Sequence, residues 1–232
     1  MYNYVFFDLD GTITQSEYSI TESVVYALEQ AGIVENDIEK IKRFIGPPLF
    51  DSFKMFYDMS DEDAQKAVDT YREHYAAGAL FNCPLYDGIE ETMEKLYKEG
   101  RKLYMVTSKP YVFATRIAEH FGLDKYIEAV VGPQPSDKHY GKAELMDKAI
   151  RMSMVEKSGD ESLMDESLAL ETIADLSEYV MVGDRHFDID GACEVGIDSI
   201  GVLYGYGSKE ELSEAGATYL VEKAIDMLEI IL

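Results

Sequence analysis

Cysteine and tryptophan are nearly absent from this chain. Two cysteines, Cys83 and Cys193, occur in 232 residues, and tryptophan does not occur. Two cysteines this far apart form neither a disulfide framework nor a CxxC metal site, so we expect free thiols and a cytoplasmic protein. No segment approaches the roughly eighteen consecutive apolar residues of a membrane span, and no charged-then-apolar leader opens the chain, so we expect no membrane insertion and no export.

Basic residues are also scarce. The chain has 21 Lys and Arg against 45 Asp and Glu, which gives a formal net charge of −24 at pH 7. Nucleic-acid backbones and anionic membranes repel a protein of this charge, so we expect neither as a partner. An anionic substrate would need local positive charge to offset the overall field. The sequence does not indicate an oligomeric state.

Short apolar segments alternate with segments of helical periodicity. This alternation predicts an α/β fold with a doubly wound, mostly parallel sheet. The expected strands are 4–9, 103–107, 127–131, 179–182, 199–203 and 218–221. Helix-start patterns, in which Ser or Asp is followed three residues later by Glu, occur at Ser19, Asp87 and Ser208.

The region between the first two strands is too long for one crossover. Residues 15 to 85 hold about four helical patterns and no convincing strand. We therefore expect a helical insertion, with helices near 19–31, 36–45, 49–58 and 61–79. Residues 1–15 and 86–232 are predicted to form the sheet domain, and residues 16–85 the helical insertion.

A second unusual segment lies between residues 152 and 178. It contains eight acidic residues and one basic residue, Lys157. We interpret it as a solvated helical or loop extension.

Two carboxylates follow the first predicted strand, in Asp8-Leu9-Asp10-Gly11-Thr12. Residues i and i+2 of an extended chain share a face, so Asp8 and Asp10 project together at the carboxyl edge of the sheet. Carboxylates this close repel each other unless a cation or a proton intervenes. The pattern favours a divalent metal with oxygen ligands, and one acid as nucleophile while the other moves protons. An acidic turn is the simpler alternative.

Three further patterns follow strands or open helices. Asp184 and Asp188 come after the strand at 179–182, where they can complete a hard oxygen site. Thr107 ends the second strand before a helix start, a natural position for binding phosphoryl oxygens. Lys142 opens a helix, which suits a cation only if an anionic site lies opposite. Each also has a simpler role: N-caps for Asp184 and Thr107, a solvated surface position for Lys142.

Taken together and in this order, these patterns resemble the haloacid dehalogenase superfamily, specifically its small aspartyl phosphatases with an inserted helical cap. Phosphoglycolate phosphatases and the 5′-nucleotidase-like group are similar in the segments 8–12, 45–49, 107–110, 142–144 and 201–207. The resemblance implies a hydrolase of a small phosphorylated metabolite, phosphoglycolate or a nucleoside monophosphate, that uses Mg²⁺. The context of Lys142 departs from the Lys-Pro pair of many phosphoglycolate phosphatases.

The resemblance also implies a role for each residue. Asp8 would form an aspartyl-phosphate, and Asp10 would protonate the leaving group and then deprotonate the hydrolytic water. Thr107 would hydrogen-bond a phosphoryl oxygen, and Lys142 would hold the nucleophile and spread negative charge. The expected Mg²⁺ ligands are Asp8, Asp10 through its carbonyl, Asp184 and, in support, Asp188. The expected phosphate or substrate contacts are Gly11, Ser108, Lys109 and Arg185.

Alternative functions stay open. A sugar phosphomutase of the same superfamily keeps both Asp8 and Asp10, whereas dehalogenases lack the second aspartate. A phosphoacceptor receiver module also places acids, a hydroxyl and a lysine around Mg²⁺, but it is shorter, has no helical insertion and carries its acceptor on a later strand. A binding protein without catalysis is disfavoured by the complete set of acids, hydroxyl and lysine.

Overall fold

The computed structural model describes residues 1–134 and 141–232. Its six strands pair in parallel in the order β3-β2-β1-β4-β5-β6. They are β1 (Tyr4–Phe7), β2 (Lys102–Val106), β3 (Ile127–Val131), β4 (Tyr179–Gly183), β5 (Asp198–Val202) and β6 (Tyr219–Val221). These bounds lie within two residues of the predicted ones, and the predicted α/β class with a parallel sheet is confirmed.

Helices precede or follow every strand in the described residues. They are α1 (Glu17–Gln30), α2 (Ile38–Lys42), α3 (Leu49–Tyr57), α4 (Asp61–Ala77), α5 (Ile89–Lys98), α6 (Tyr111–His120), α7 (Lys142–Ser158), α8 (Leu170–Ile173), α9 (His186–Val195), α10 (Lys209–Glu214) and α11 (Leu228–Ile231). No helix in the described ranges is long and apolar enough to cross a membrane.

The chain divides into two compact units. One unit comprises Met1–Thr14 and Leu85–Leu232 and contains the whole sheet, and the other is Gln15–Pro84 and contains α1 to α4. The role of the helical unit as a cap stays a prediction.

The helix start expected at Ser19 is wrong. Helix α1 begins at Glu17 with Ser16 in the N-cap position. Ser19 is fully buried, and its hydroxyl donates to the Ser16 carbonyl at 2.9 Å. The side chain therefore bonds back along the helix and does not cap a new one. By contrast, Ser208 accepts from the backbone N–H of Glu211 and caps α10 as predicted.

One face of the sheet carries an aromatic and aliphatic core that positions α7. The ring of Tyr179 on β4 stacks on Tyr4 with centroids 4.5 Å apart, and its hydroxyl lies 2.8 Å from Ser153 Oγ on α7. Met146 and Ile150 of α7 are fully buried in the same cluster. Because α7 is held against the sheet along its length, its first residue, Lys142, is placed by the core.

The acidic segment after α7 is anchored by one buried cation, Arg151 of α7, which is 3% exposed. Its guanidinium binds both carboxylate oxygens of Asp147 at 2.8 and 3.0 Å. It also donates to the backbone carbonyls of Leu163, Asp165 and Leu168 at 3.3, 2.8 and 2.9 Å. The segment is largely exposed, as interpreted from the sequence, yet Arg151 ties its backbone to the core.

Candidate active site

Two aspartates extend from the central strands of the sheet. Asp8 follows β1, and its backbone N–H donates to Val182 of β4 at 2.9 Å, which continues the strand pairing by one residue. Asp184 follows β4 directly. Strand β1 lies between β2 and β4. From β1 the chain continues through β2 and β3 on one side of β1, and it crosses to the other side of β1 at β4. This reversal is where open α/β sheets bind ligands, outside the carboxyl ends of the strands.

Asp8, Asp184 and Asp188 form a compact group of three carboxylates. One oxygen from each lies within 4.8 Å of the others. Asp184 is fully buried and Asp188 is 1% exposed. Burial raises the pKa of Asp8 to about 6 against the opposing effect of Lys142. Burial and the charges of Asp188 and Asp8 also raise the pKa of Asp184 well above its usual range. Three negative charges are strongly disfavoured in this arrangement. The arrangement therefore favours a bound cation.

Lys142 lies between two members of this three-carboxylate group. Its Nζ is 2.8 Å from Asp8 Oδ1 and 2.8 Å from Asp188 Oδ1, and its side chain is 5% exposed. Burial alone would lower the pKa of Lys142, but Asp188 and Asp8 outweigh it and raise that pKa, so the ammonium stays charged. The Glu144 carboxylate accepts the Gly141 N–H at 2.7 Å and secures the start of α7 just before Lys142.

The two contacts of Lys142 are short ion pairs. Asp8 Oδ1 and Asp188 Oδ1 are both buried, and within the described residues neither has a hydrogen bond of acceptable geometry. The lysine acts here as a point charge, so lone pairs of both oxygens remain available to a cation.

Glycines allow the backbone to approach Asp184 closely. Gly11 has a φ of +86°, and a Cβ at this position would lie 2.7 Å from Asp184 Oδ1 and 2.5 Å from its Cγ. A Cβ at Gly205 would overlap Asp184 in the same way. The carboxylate itself accepts the Tyr206 N–H at 2.8 Å and lies 3.4 Å from the Thr12 hydroxyl. Asp184 is therefore held from two loops in a space that only glycines leave open.

Strand β2 ends in a turn that carries a hydroxyl and a second lysine. Thr107 is 1% exposed, its N–H donates to Val131 of β3 at 3.0 Å, and its Oγ1 accepts the Lys109 N–H at 3.2 Å. Ser108 between them is exposed. The Lys109 Nζ donates to both carboxylate oxygens of Asp10, at 2.9 and 2.6 Å.

A second ion-pair cluster holds the loop between β4 and α9. Glu211 Oε1 accepts from Arg185 Nε at 2.8 Å and from the His186 N–H at 3.0 Å, and it lies 2.9 Å from His186 Nδ1. Burial raises the pKa of Glu211, but the hydrogen bonds from His186 and Arg185 outweigh it and lower that pKa to about 2. Glu211 thereby braces the β4–α9 loop, which carries Asp184, and the start of α9, whose first turn carries Asp188.

The chain is similar to known proteins over most of its length. A family model described as haloacid dehalogenase-like hydrolase matches residues 5–202, most of the chain. The chain belongs to this family. The haloacid dehalogenase-like fold and the phosphatase class expected from the motifs are thus confirmed.

Individual relatives cover nearly the whole hydrolase. A 5′-nucleotidase of Pseudomonas aeruginosa is 39% identical over 91% of this chain and 87% of its own length. The tyrosine-protein kinase PtkA of Mycobacterium tuberculosis is 30% identical over 95% of this chain and 68% of its own length. A solved structure described as a predicted phosphatase from Clostridium acetobutylicum has a TM-score of 0.82 and 39% identity, and the match covers 100% of this chain and 98% of that one.

The structure brings most of the sequence-predicted residues of this hydrolase to one edge of the sheet. It places Asp8, Asp184, Asp188 and Lys142 in direct contact or within metal-binding distance. The Asp10 side chain pairs with Lys109 and is not a member of the three-carboxylate group. The predicted phosphate contacts at Gly11, Ser108, Lys109 and Arg185 stay predictions.

Sequence reasoning missed Glu211 as part of the site's support. The Ser208-x-x-Glu211 pattern was interpreted only as a helix start. Ser208 does cap α10. In the described part of the chain, however, the Glu211 carboxylate accepts hydrogen bonds from Arg185 and His186 and not from the start of its own helix. No spacing rule predicts this contact, because it depends on how α10 packs beside the β4–α9 loop.

Proposed function

We propose that this hydrolase cleaves the phosphomonoester of a small metabolite through an aspartyl-phosphate on Asp8, with Mg²⁺ as cofactor. The observation that carries the proposal is the Lys142 ammonium, 2.8 Å from both Asp8 and Asp188, beside the buried Asp184. The motif resemblance fits either a nucleoside monophosphate or phosphoglycolate as the substrate class, and the relative named 5′-nucleotidase favours a nucleoside monophosphate.

Asp8 is better placed than Asp10 to act as the nucleophile. Its side chain is 13% exposed, against 22% for Asp10, and it lies at the end of the central strand. Lys142 beside it favours the carboxylate form and balances charge that develops on the phosphoryl group. Asp10, two residues later in the loop that follows β1, is more open to water, as a proton-transfer group requires.

The reaction follows in two displacements. A carboxylate oxygen of Asp8 attacks phosphorus while the bond from phosphorus to the ester oxygen breaks, and protonated Asp10 gives its proton to that leaving oxygen. Asp10, now a carboxylate, takes a proton from water as the water oxygen attacks phosphorus. The bond between phosphorus and Asp8 then breaks, which releases phosphate and restores both side chains.

The residues at the sheet edge fit a divalent cation. Asp8, Asp184 and Asp188 each offer an oxygen within 4.8 Å of the others. When ionised, these three carboxylates and the Lys142 ammonium together carry two net negative charges, which Mg²⁺ would offset. Asp8, Asp184 and Asp188 would hold the ion, and Asp10 would add its carbonyl. When bound, Mg²⁺ would neutralise phosphoryl oxygens and orient the phosphoryl group.

The remaining parts of the proposal concern binding. Thr107, buried beside the turn after β2, is proposed to hydrogen-bond a phosphoryl oxygen, with Gly11 and Ser108 as further contacts. We propose that residues 16–85 form a cap over a catalytic core of residues 1–15 and 86–232, and that the cap selects the leaving group and excludes water. The proposed location is the cytoplasm.

A panel of phosphomonoesters tests the function. Phosphate release is measured from 4-nitrophenyl phosphate, nucleoside monophosphates and phosphoglycolate, with Mg²⁺ and with chelator, for the wild type and Asp8→Asn. We expect metal-dependent release by the wild type only. Folded wild-type protein that releases no phosphate from any ester would contradict the proposal, and isomerisation of a bisphosphorylated sugar without phosphate release would identify a mutase instead.

A further inference from the structure

One lysine at the site contacts a carboxylate outside the three-carboxylate group. The Nζ of Lys109 donates to both oxygens of Asp10, at 2.9 and 2.6 Å. The Lys109 side chain is 6% exposed, so the pair is shielded on the lysine side, while Asp10 is 22% exposed. Charge-assisted hydrogen bonds from a buried ammonium to both oxygens fix the orientation of the Asp10 carboxylate.

The backbone at Lys109 is fixed by contacts with Thr107 and Gly132. Its N–H donates to Thr107 Oγ1 at 3.2 Å. A Cβ at Gly132, just after β3, would lie 2.6 Å from the Lys109 carbonyl oxygen and 3.3 Å from that of Thr107. The absence of a side chain at Gly132 therefore lets the end of β3 press against the turn. The sheet therefore fixes the backbone from which the Lys109 side chain extends to Asp10.

The pairing separates the four acids into two sets. Asp10 lies only two residues after Asp8. Within the described residues, however, the Asp10 carboxylate is not a member of the three-carboxylate group. A carboxylate two residues from a proposed metal ligand would otherwise compete to bind the divalent cation. A carboxylate bound to the metal cannot carry the leaving group's proton.

We propose that Lys109 is a positioning residue that reserves Asp10 for proton transfer by holding its carboxylate apart from the three-carboxylate group. The inference rests on the proposed function, in which Asp10 protonates the leaving oxygen. It differs from a role of Lys109 as a direct phosphate contact. A phosphate contact serves every ester equally, whereas a residue that acts through Asp10 matters most for esters whose leaving group needs a proton.

Leaving-group dependence separates the two roles. A 4-nitrophenolate leaves without a proton, whereas an alkoxide needs one, and a general acid typically contributes about 10²–10⁴-fold. The kcat is measured with saturating Mg²⁺ for 4-nitrophenyl phosphate, phenyl phosphate and an alkyl phosphate, in the wild type, Lys109→Met, Lys109→Arg and Asp10→Asn. Lys98→Met is the matched control, since Lys98 is an exposed lysine that pairs with Glu94 at 2.8 Å on α5.

We expect Lys109→Met to lose roughly tenfold or more in kcat on the alkyl phosphate and less than about threefold on 4-nitrophenyl phosphate, the same trend as Asp10→Asn. Lys109→Arg, which keeps the charge, should recover part of the loss. In the double variant Lys109→Met/Asp10→Asn, removal of the lysine should cause no further loss, because the group it serves is gone. Lys98→Met should match the wild type.

Binding of Mn²⁺ alone provides a readout that does not depend on turnover. Calorimetric titration should show tighter Mn²⁺ binding in Lys109→Met than in the wild type, because the freed Asp10 carboxylate can join the metal, and a return toward the wild-type affinity in the double variant. Unchanged affinity in Lys109→Met would overturn the proposal. Lys109→Gln replaces the methionine variant if that protein does not fold.

The outcomes distinguish this inference from the proposed function. A uniform loss of kcat in Lys109→Met across all three esters, or no loss, overturns the positioning role. The proposed function still stands in that case if Asp10→Asn shows the leaving-group trend. If Asp10→Asn itself shows no trend, the acid role of Asp10 fails, and the positioning role fails with it.

Discussion

Substitution of Gly11 by alanine tests whether the placement of Asp184 controls activity. A Cβ at Gly11 would lie 2.5 Å from Asp184 Cγ and 2.7 Å from Oδ1, where ordinary contacts are 3.4–4 Å. The carboxyl group must therefore move by about 1 Å, a displacement that can reduce catalysis by about 10²-fold. The φ of +86° adds a backbone penalty of roughly 1–2 kcal/mol for a residue with a side chain.

Gly100→Ala is the matched control. Gly100 has a similar φ of +79°, and a Cβ there meets no described atom within 4 Å. Gly100→Ala should lose about 2–8 °C in Tm, because roughly 1–2 kcal/mol shifts a chain of this length by about 2–4 °C per kcal/mol. Gly11→Ala should lose at least as much, because it also displaces Asp184. Only Gly11→Ala should also lose about 10²-fold in kcat/KM for phosphate release with excess Mg²⁺. A folded Gly11→Ala within about threefold of Gly100→Ala would refute the reasoning.

Three further outcomes are expected. Arg151→Met should lower the free energy of unfolding by about 3 kcal/mol, because it leaves Asp147 and three backbone carbonyls without their buried partner. The kcat should not change. Calorimetry measures the first effect and steady-state kinetics the second. The stability advantage of the wild type over Glu211→Gln should be full above about pH 5 and shrink toward pH 3 in thermal unfolding scans, since the folded pKa of about 2 lies below the unfolded value of about 4.3. In chelator, the stability contributed by protonated Asp8 is present below about pH 4 and is lost as the pH rises through its folded pKa of about 6. Mg²⁺ should therefore raise Tm more at pH 7.5 than at about pH 5. An equal rise at both pH values would contradict the carboxylate site.

The fold and the acidic centre could be predicted from sequence because both depend on short-range rules. Each buried strand is a short apolar run, and the carboxyl ends of parallel strands meet at one edge. Asp8 and Asp184 follow neighbouring strands, β1 and β4, so their proximity follows once the strands are recognised. Lys142 could be placed opposite an anionic site because a cation at the start of a helix needs compensation.

The pairings that the sequence did not predict depend on side-chain packing. The contact of Lys109 with Asp10 was not predicted, because it depends on a turn held by Gly132 and Thr107. The predicted phosphate contact of Lys109 stays a prediction. Glu211 reaches a loop that lies far away in sequence. Arg151 binds backbone carbonyls of a segment whose composition shows only excess acid, and no periodicity marks which cation will do so.

Phosphorylation of Asp8 is the most direct test of the central claim. In Asp10→Asn, 4-nitrophenyl phosphate should phosphorylate Asp8, because 4-nitrophenolate leaves without an acid, and the intermediate should persist, because the base that activates water is missing. After mixing with Mg²⁺, acid quenching and peptide mass spectrometry, the account predicts one phosphoryl group on the peptide that contains Asp8, and none in the Asp8→Asn/Asp10→Asn variant. A folded Asp10→Asn protein that releases 4-nitrophenolate without phosphorylation of Asp8, or that is phosphorylated at another residue, would contradict it.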